Sequence, residues 1–367
     1  MSSLRALWDD HGQAVWLDFI QRSLVTDGGL ARLVAEDGVR GVTSNPSIFQ
    51  QAIGRSREYD EALDAILADE PNATTEQIYE ALAFTDIRLA ADQLRGLYDA
   101  SAGGDGYVSL EVNPHLAHDT ARTVDEARRL WRAVDRPNLM IKVPATDRGV
   151  PAIATLIADG INVNATLLFS LRHYEGVARA YLEGLERCAT PERVASVASF
   201  FVSRVDTAVD GELEALGSAE ALALRGTAAV ANARLAYRRF RDLFGPRAFA
   251  RLAGRGAKVQ RPLWASTSTK NPAYSDVLYV EELIAPDTVN TIPTNTLEAF
   301  RDHGRPRASL EAGMADADAE VERLRALGVD LAAVTEKLQV DGVAAFARSF
   351  DALMADLAAK RATRGGK

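Results

Sequence analysis

A lysine within an apolar segment is the residue of this sequence best suited to covalent chemistry. Lys142 lies in Leu139-Met-Ile-Lys-Val-Pro144, and the other five residues of this segment are all apolar. Lysine is almost never fully buried without a partner, so a buried strand here requires a polar cavity around its amine. Burial disfavours the protonated form of an amine, and an unprotonated lysine can attack a carbonyl group to form an imine. A structural ion pair with a carboxylate is the alternative interpretation.

Two carboxylates occupy the same kind of position. Asp18 lies in Val15-Trp-Leu-Asp-Phe-Ile20, and Glu111 lies in Val108-Ser-Leu-Glu-Val112. Imine formation, imine hydrolysis and cleavage of a C–C bond each require proton transfer, and a carboxylate with a pKa raised by burial can perform it. Either carboxylate could instead serve only as the charge partner of Lys142.

Hydroxyl groups and cations follow two further apolar segments. Ser199-Phe-Phe-Val-Ser-Arg204 ends in an arginine, and Trp264-Ala-Ser-Thr-Ser-Thr-Lys270 ends in a row of hydroxyls and a lysine. Arginine binds phosphate well because its donors form a planar fork. These segments predict a phosphate or sugar site, although Thr267 and Thr269 taken alone could belong to a solvated loop.

Short apolar segments alternate with longer stretches of helical period, which is typical of βα units around a parallel sheet. We predict eight strands: Ala14–Ile20, Gly41–Asn45, Tyr107–Val112, Asn138–Pro144, Asn162–Phe169, Val194–Val202, Pro262–Ser266 and Thr288–Pro293. Eight parallel strands close a (β/α)8 TIM barrel, whose reacting groups lie at the carboxyl ends of the strands. The polar residues named above are therefore expected around one barrel mouth, together with Asn45, Asn164 and Thr166.

The remaining segments predict helices. Thr74-Thr-Glu-Gln77 is a capping box that begins a helix reaching about Tyr98. The gaps after the second and sixth strands are long enough for extra helices. The whole chain, residues 1–367, is expected to form one barrel domain, in which residues 294–360 form C-terminal helices that cap the barrel and residues 361–367 fray.

Composition excludes several classes of protein. The 42 basic and 51 acidic residues give a net charge of −9, which argues against general nucleic-acid binding. Cys188 is the single cysteine, so a disulfide framework is excluded. No apolar run is long enough to span a membrane, and the N-terminus does not resemble a signal peptide. We expect a cytoplasmic protein, and no motif specifies an oligomeric partner.

Metal and nucleotide sites are not indicated. Among the five histidines only His115 and His118 lie close together, and no His-Glu-x-x-His motif is present. Glycine-rich nucleotide loops are also missing from the sequence. The sequence therefore predicts neither a metal site nor a nucleotide site.

Several motifs in the same order resemble those of transaldolase. They are Gly41-Val-Thr-Ser-Asn-Pro-Ser47, Leu139-Met-Ile-Lys-Val-Pro144, Gly160-Ile-Asn-Val-Asn-Ala-Thr-Leu-Leu-Phe-Ser170 and Ser199-Phe-Phe-Val-Ser-Arg204. The resemblance covers roughly residues 14–300. It implies a barrel of the class I aldolase type that transfers a dihydroxyacetone unit from sedoheptulose 7-phosphate to glyceraldehyde 3-phosphate. The products are erythrose 4-phosphate and fructose 6-phosphate, in the non-oxidative pentose phosphate pathway and without a cofactor.

The resemblance also implies roles for individual residues. Lys142 forms the Schiff base, and Asp18 handles the substrate hydroxyl proton during C–C cleavage. Glu111 and Thr166 hold and activate the catalytic water. The remaining implied residues bind substrate: Asn45 and Asn164 at the dihydroxyacetone hydroxyls, Ser199, Phe201 and Arg204 at the sugar phosphate, and Ser266 after the seventh strand.

One position departs from the family pattern. Many transaldolases carry an arginine two residues beyond the serine that Ser266 matches, as a second phosphate ligand, and here that position is Ser268. Either Lys270 replaces the arginine or Arg204 provides more of the positive charge. Two other functions stay open, namely a class I aldolase that releases free dihydroxyacetone and a non-catalytic barrel that binds sugar phosphates through Arg204.

Overall fold

A closed barrel of parallel strands forms the centre of the molecule. The computed structural model describes residues 2–364. Within these residues, eight strands pair in chain order, and the last pairs with the first. The strands are β1 (Gln13–Leu17), β2 (Val39–Val42), β3 (Tyr107–Glu111), β4 (Leu139–Pro144), β5 (Val163–Leu168), β6 (Ser196–Phe201), β7 (Arg261–Ala265) and β8 (Thr288–Ile292). The predicted TIM barrel is confirmed.

Three predicted site residues lie just beyond a strand rather than within it. Asp18 follows β1, although its backbone N–H still donates to Ile292 O at 2.9 Å. Asn45 follows β2 and caps the helix that begins at Pro46. Ser266 follows β7 with a positive φ of 57°, a conformation that ends the strand. The strand ends were therefore predicted too late at these positions, because the backbone turns away from the ladder where the polar residues begin.

Helices surround the barrel and cover its ends. They are α1 (Ser3–Asp9), α2 (Arg22–Thr26), α3 (Gly29–Arg32), α4 (Pro46–Phe49), α5 (Asp60–Asp69), α6 (Thr75–Ala100), α7 (Thr120–Val134), α8 (Gly149–Ala158), α9 (Leu171–Arg187), α10 (Ser203–Leu216), α11 (Ala219–Ala223), α12 (Ala228–Phe244), α13 (Ala250–Ala253), α14 (Leu278–Glu282), α15 (Thr294–His303), α16 (Ala317–Ala326) and α17 (Leu331–Ala362). Short π-helical segments, Leu33–Asp37 and Gln50–Arg55, and 3-10 turns, Pro114–Leu116 and Pro191–Arg193, complete the regular structure. None of the helices within residues 2–364 combines the length and the apolar composition that a membrane span needs.

The extra helices occur where the long gaps predicted them. Helices α4 to α6 separate β2 from β3, and α10 to α13 separate β6 from β7. The capping box at the start of α6 is present: Thr74 Oγ1 accepts from Gln77 N at 3.2 Å, and Gln77 Oε1 accepts from Thr74 N at 2.7 Å. These two bonds satisfy backbone donors at the start of the helix that would otherwise have no partner.

The C-terminal helices cap the barrel, as predicted. The last two of them, α16 and α17, are separated by a turn in which Gly328 has a φ of 89°. Val340 does not face the core, since it is 66% exposed. Helix α17 extends to Ala362, two residues into the segment expected to fray, and Arg364 pairs with Asp60 and Asp64 there. Residues 365–367 of that segment lie outside the described residues.

Candidate active site

The register of three neighbouring strands brings three predicted site residues side by side. Glu111 on β3 pairs with Lys142 on β4, which in turn pairs with Asn164 on β5. Laterally paired residues of a parallel sheet point to the same face. Lys142 is 4% exposed and Asn164 fully buried, so this face is the barrel interior.

Lys142 meets one carboxylate, one carbonyl and one aromatic ring. Its Nζ donates to Ser44 O at 3.1 Å and lies 3.3 Å from Glu111 Oε2. The ring centroid of Phe346, on α17, lies 5.5 Å from Nζ. The amine is thus buried beside a single carboxylate, with an apolar ring over it.

Glu111 is suited to proton transfer. Burial is the main reason why its pKa rises to about 7, and the nearby charge of Lys142 opposes that rise while Asp18 adds to it. Neither of its carboxylate oxygens has a hydrogen-bond partner among residues 2–364, and the same is true of the buried Thr166 hydroxyl. A buried oxygen without a hydrogen-bond partner destabilises the fold, because it has lost its contact with water. A water molecule or a substrate hydroxyl that bonded to Glu111 and Thr166 would remove this penalty.

Asp18 is a second carboxylate that lines the same cavity as Lys142. It is partly buried, and it accepts a hydrogen bond from Thr43 Oγ1 at 2.7 Å. Burial raises the pKa of Asp18, and Lys142 and the Thr43 hydrogen bond oppose that rise. Lys142 therefore has two carboxyl groups with raised pKa values near it, Glu111 on β3 and Asp18 just after β1.

The predicted asparagines differ in their surroundings. Asn45 Oδ1 accepts from Ile48 N at 3.0 Å as the cap of α4, which leaves its amide N–H groups for the cavity. Asn164 donates to Ser109 Oγ at 3.0 Å and accepts from Ser199 Oγ at 2.7 Å. Asn164 therefore links three strands beneath the cavity, whereas Asn45 lies at its wall.

The predicted phosphate residues gather at one end of the cavity. The Arg204 guanidinium stacks on the Phe201 ring at 5.4 Å, and within residues 2–364 no side chain accepts from it and no carboxylate lies within 4 Å. Loss of hydration lowers the pKa of Arg204. Lys270 donates to Ser268 Oγ at 2.8 Å, and both residues line the same cavity as Arg204. Two cations without carboxylate partners make this end suitable for an anion.

The cavity at the barrel mouth measures about 150 Å³. The predicted residues that line it are Asp18, Asn45, Lys142, Thr166, Ser199, Phe201, Arg204, Ser266 and Lys270. Glu111 and Asn164 lie behind this lining. Sequence analysis missed several lining residues, namely Thr43, Ser47, Ala265, Thr291, Pro293 and Phe346. Most of them lie within a predicted motif or strand and were not singled out there. Phe346 comes from the last helix, and its apolar side chain does not differ in type from those of core positions.

Comparison with known proteins identifies the family. A family model described as Transaldolase/Fructose-6-phosphate aldolase matches residues 15–357. The chain belongs to this family. It is 53% identical over 350 residues to the transaldolase of Thiobacillus denitrificans, an alignment that covers 94% of this chain and 97% of that protein. It is also 53% identical over 348 residues to the transaldolase of a Parafrankia species, with 94% of each chain covered.

A third relative gives the same result. The chain is 51% identical to transaldolase 1 of Streptomyces coelicolor. The alignment extends over 351 residues and covers 94% of this chain and 92% of that protein. The resemblance found in the sequence motifs is therefore confirmed at the level of the family. Membership makes the chain an enzyme of the transferase class that acts on sugar phosphates.

Proposed function

We infer that this protein is a transaldolase, which transfers a dihydroxyacetone unit from sedoheptulose 7-phosphate to glyceraldehyde 3-phosphate and releases erythrose 4-phosphate and fructose 6-phosphate. The observation that carries the proposal is the buried amine of Lys142, 3.3 Å from Glu111 and open to a cavity that Arg204 also lines. The relatives named transaldolase, at about 50% identity over most of the chain, support it.

Lys142 and Glu111 perform the first step. The amine of Lys142 attacks the C2 carbonyl of the ketose, and the resulting carbinolamine loses its hydroxyl as water to leave a protonated imine. Glu111 is the nearest carboxyl group that can supply the proton for that water. With a pKa of about 7 it is partly protonated at neutral pH, as a general acid must be.

Asp18 performs the second step. It removes the proton of the C4 hydroxyl, the C3–C4 bond breaks, and the electron pair moves into the imine to give an enamine while the aldehyde departs. The pKa of Asp18 is raised by burial, which favours proton uptake by its carboxylate. An incoming aldehyde reverses these events, and water held by Glu111 and Thr166 then hydrolyses the imine.

Substrate binding uses the two ends of the cavity. Arg204 binds the phosphate, since its guanidinium lines the cavity and has no carboxylate within 4 Å among residues 2–364, and Lys270 with Ser268 supplies the second ligand. Asn45 binds hydroxyls of the dihydroxyacetone unit directly. The other polar residues complete the sugar site: Asn164, Ser199 and Ser266, with Phe201 beneath the guanidinium.

The reaction as written needs neither a metal nor an organic cofactor, because the imine itself accepts the electron pair. It belongs to the non-oxidative pentose phosphate pathway. We propose a cytoplasmic location, since charged sugar phosphates do not cross membranes freely.

An assay with and without acceptor tests the function. The protein is incubated with fructose 6-phosphate alone and with added erythrose 4-phosphate, and glyceraldehyde 3-phosphate and free dihydroxyacetone are measured. We expect rapid formation of glyceraldehyde 3-phosphate only when erythrose 4-phosphate is present. Equally rapid release of free dihydroxyacetone without acceptor would identify the protein as an aldolase instead.

A further inference from the structure

One aromatic ring over the catalytic amine belongs to the C-terminal helix, and nothing in the reaction so far uses it. Phe346 on α17 lines the cavity, is 3% exposed, and has its ring centroid 5.5 Å from Lys142 Nζ. We propose that Phe346 determines reaction specificity: its ring keeps water from the lysine-bound three-carbon unit and so favours transfer to an aldehyde over release of free dihydroxyacetone. The proposal rests on the proposed function.

Hydrogen bonds join helix α17 to the backbone of the two strands that carry Lys142 and Thr166, or to the residue just after the strand. The side-chain amide of Gln339 donates to Ala145 O and to Leu167 O, each at 3.0 Å. Leu167 has a positive φ of 62°, so these bonds hold a strained backbone just after Thr166.

The same face of the helix approaches the barrel very closely. A Cβ at Gly342 would lie 3.1 Å from Leu167 Cδ2, so the Leu167 side chain would have to shift to accept a larger residue there. Gln339, Gly342 and Phe346 are spaced by three and four residues and therefore lie on one face. The closeness of this face to β5 fixes the height of the Phe346 ring above the cavity.

Further contacts hold the helix on the other side of Phe346. Ser349 Oγ lies 2.8 Å from Ser47 Oγ, and Asp351 Oδ1 lies 2.7 Å from His115 Nε2. Ser47 itself lines the cavity. Because the helix is attached both before and after Phe346, the ring cannot move away from the amine without the loss of several contacts.

The three-carbon enamine on Lys142 has two fates. In transfer, its nucleophilic carbon forms a bond to the carbonyl carbon of an aldehyde, and that oxygen takes a proton. In release, the same carbon takes a proton, water adds to C2 of the resulting imine, and the C2–N bond breaks to give dihydroxyacetone and the free amine of Lys142. Only release needs water before an aldehyde has arrived.

The Phe346 ring affects release of dihydroxyacetone more than it affects transfer to an aldehyde. An apolar ring beside the imine occupies space from which water would approach C2, and it offers water no hydrogen-bond partner. The face of the ring also stabilises the positive charge of the protonated imine. Because hydrolysis removes that charge, the ring opposes hydrolysis. The acceptor aldehyde instead reaches the enamine along the cavity, where Arg204 and Lys270 hold its phosphate.

Replacement of the ring tests the proposal. The variants are Phe346→Leu and Phe346→Met, which keep an apolar side chain without the ring. Phe350→Leu is the matched control, since Phe350 lies one turn further along α17, packs against Tyr79 and does not line the cavity. For each folded variant the rate of free dihydroxyacetone release from fructose 6-phosphate is divided by the rate of transfer to erythrose 4-phosphate.

We expect this ratio to rise by about tenfold in the Phe346 variants. Loss of the contact between the ring and the protonated imine should change the activation barrier for hydrolysis by an amount that corresponds to this factor. The Phe350→Leu ratio should match the wild type. A wild-type ratio in both Phe346 variants, or an equal rise in Phe350→Leu, would overturn the proposal while the transaldolase function stands. A wild type that releases dihydroxyacetone but does not transfer it would overturn both.

Discussion

The amine of Lys142 and the carboxylate of Glu111 lie 3.3 Å apart on adjacent strands, both buried in the barrel interior. Burial raises the pKa of Glu111, and the nearby charge of Lys142 opposes that rise. The same closeness allows a proton to pass from the amine to the carboxylate before attack on a ketose. The ion pair is therefore present, and our proposal is that the same two groups also carry out the chemistry.

Glu111 should make stability depend on pH. Burial raises its pKa from the ordinary 4.5 to about 7. The folded carboxyl group thus holds its proton more tightly than the unfolded one, so its stabilising contribution is complete below about pH 4.5 and is lost as the pH rises towards 7. Relative to the wild type, the Glu111→Gln variant should gain stability between those pH values, on the order of 3 kcal/mol. Urea denaturation at both ends of the range measures the gain, and a difference independent of pH would contradict the assignment.

Arg204 should control the affinity for phosphorylated substrates. Loss of a charge-assisted contact to phosphate weakens binding by about 10- to 100-fold. We expect Arg204→Ala to raise the KM for fructose 6-phosphate by that factor and to change the slow reaction of unphosphorylated fructose little. Arg193→Ala, at an exposed ion pair, is the control. An unchanged KM in Arg204→Ala would remove the arginine from the phosphate site.

Lys270 should make phosphate binding sensitive to alkaline pH. Partial loss of hydration and the charge of Arg204 lower the pKa of Lys270, so its ammonium loses the proton at a lower pH than an ordinary lysine. The KM for fructose 6-phosphate should therefore rise with pH in the wild type below the usual lysine range. In Lys270→Arg the KM should stay flat, because arginine remains charged. Parallel KM profiles in the two proteins would show that Lys270 does not bind the phosphate.

Asp105 should matter for stability and not for catalysis. It is 1% exposed at the other end of the barrel, where it accepts from Trp16 Nε1 at 3.3 Å and pairs with Arg40 at 2.7 Å and Arg261 at 2.8 Å. Asp105→Ala leaves two largely buried guanidinium groups without that partner, at a cost of about 3 kcal/mol.

The control for Asp105 is an exposed pair of the same kind. Asp99→Ala breaks the surface contact with Arg95 and should cost less than about 1 kcal/mol. Thermal and urea denaturation measure both variants, alongside KM for fructose 6-phosphate. A KM shift in Asp105→Ala, or equal losses of stability in the two variants, would contradict this account.

Local patterns predicted most of the fold. Each strand combines β-branched or apolar residues with a turn or helix signal nearby, so its position follows from a few neighbouring residues. Lys142, Glu111 and Arg204 were found in the same way, because a charge within or just after an apolar strand is conspicuous. The exact strand ends were not. Asp18 lies beyond β1 although its backbone N–H still donates to Ile292 O, and Asn45 turns out of β2 to cap the helix that begins at Pro46.

Long-range contacts account for what sequence analysis missed. Phe346 lies more than 200 residues from Lys142 in the chain, and its apolar character does not distinguish it from Phe350, which packs elsewhere. The hydrogen-bond partners of Asn164 could not be predicted either, since Ser109 and Ser199 come from two other strands. Only the closed barrel brings these residues together.

Covalent capture of the substrate tests the central claim most directly. The protein is treated with fructose 6-phosphate and borohydride, digested and analysed by mass spectrometry, with Lys142→Ala as the control. That variant should stay folded, because loss of the nearby positive charge raises the pKa of Glu111 further and leaves its carboxyl group neutral. We predict a reduced three-carbon adduct on Lys142 in the wild type and none in the variant. An adduct on another lysine, or turnover without any adduct, would contradict the account.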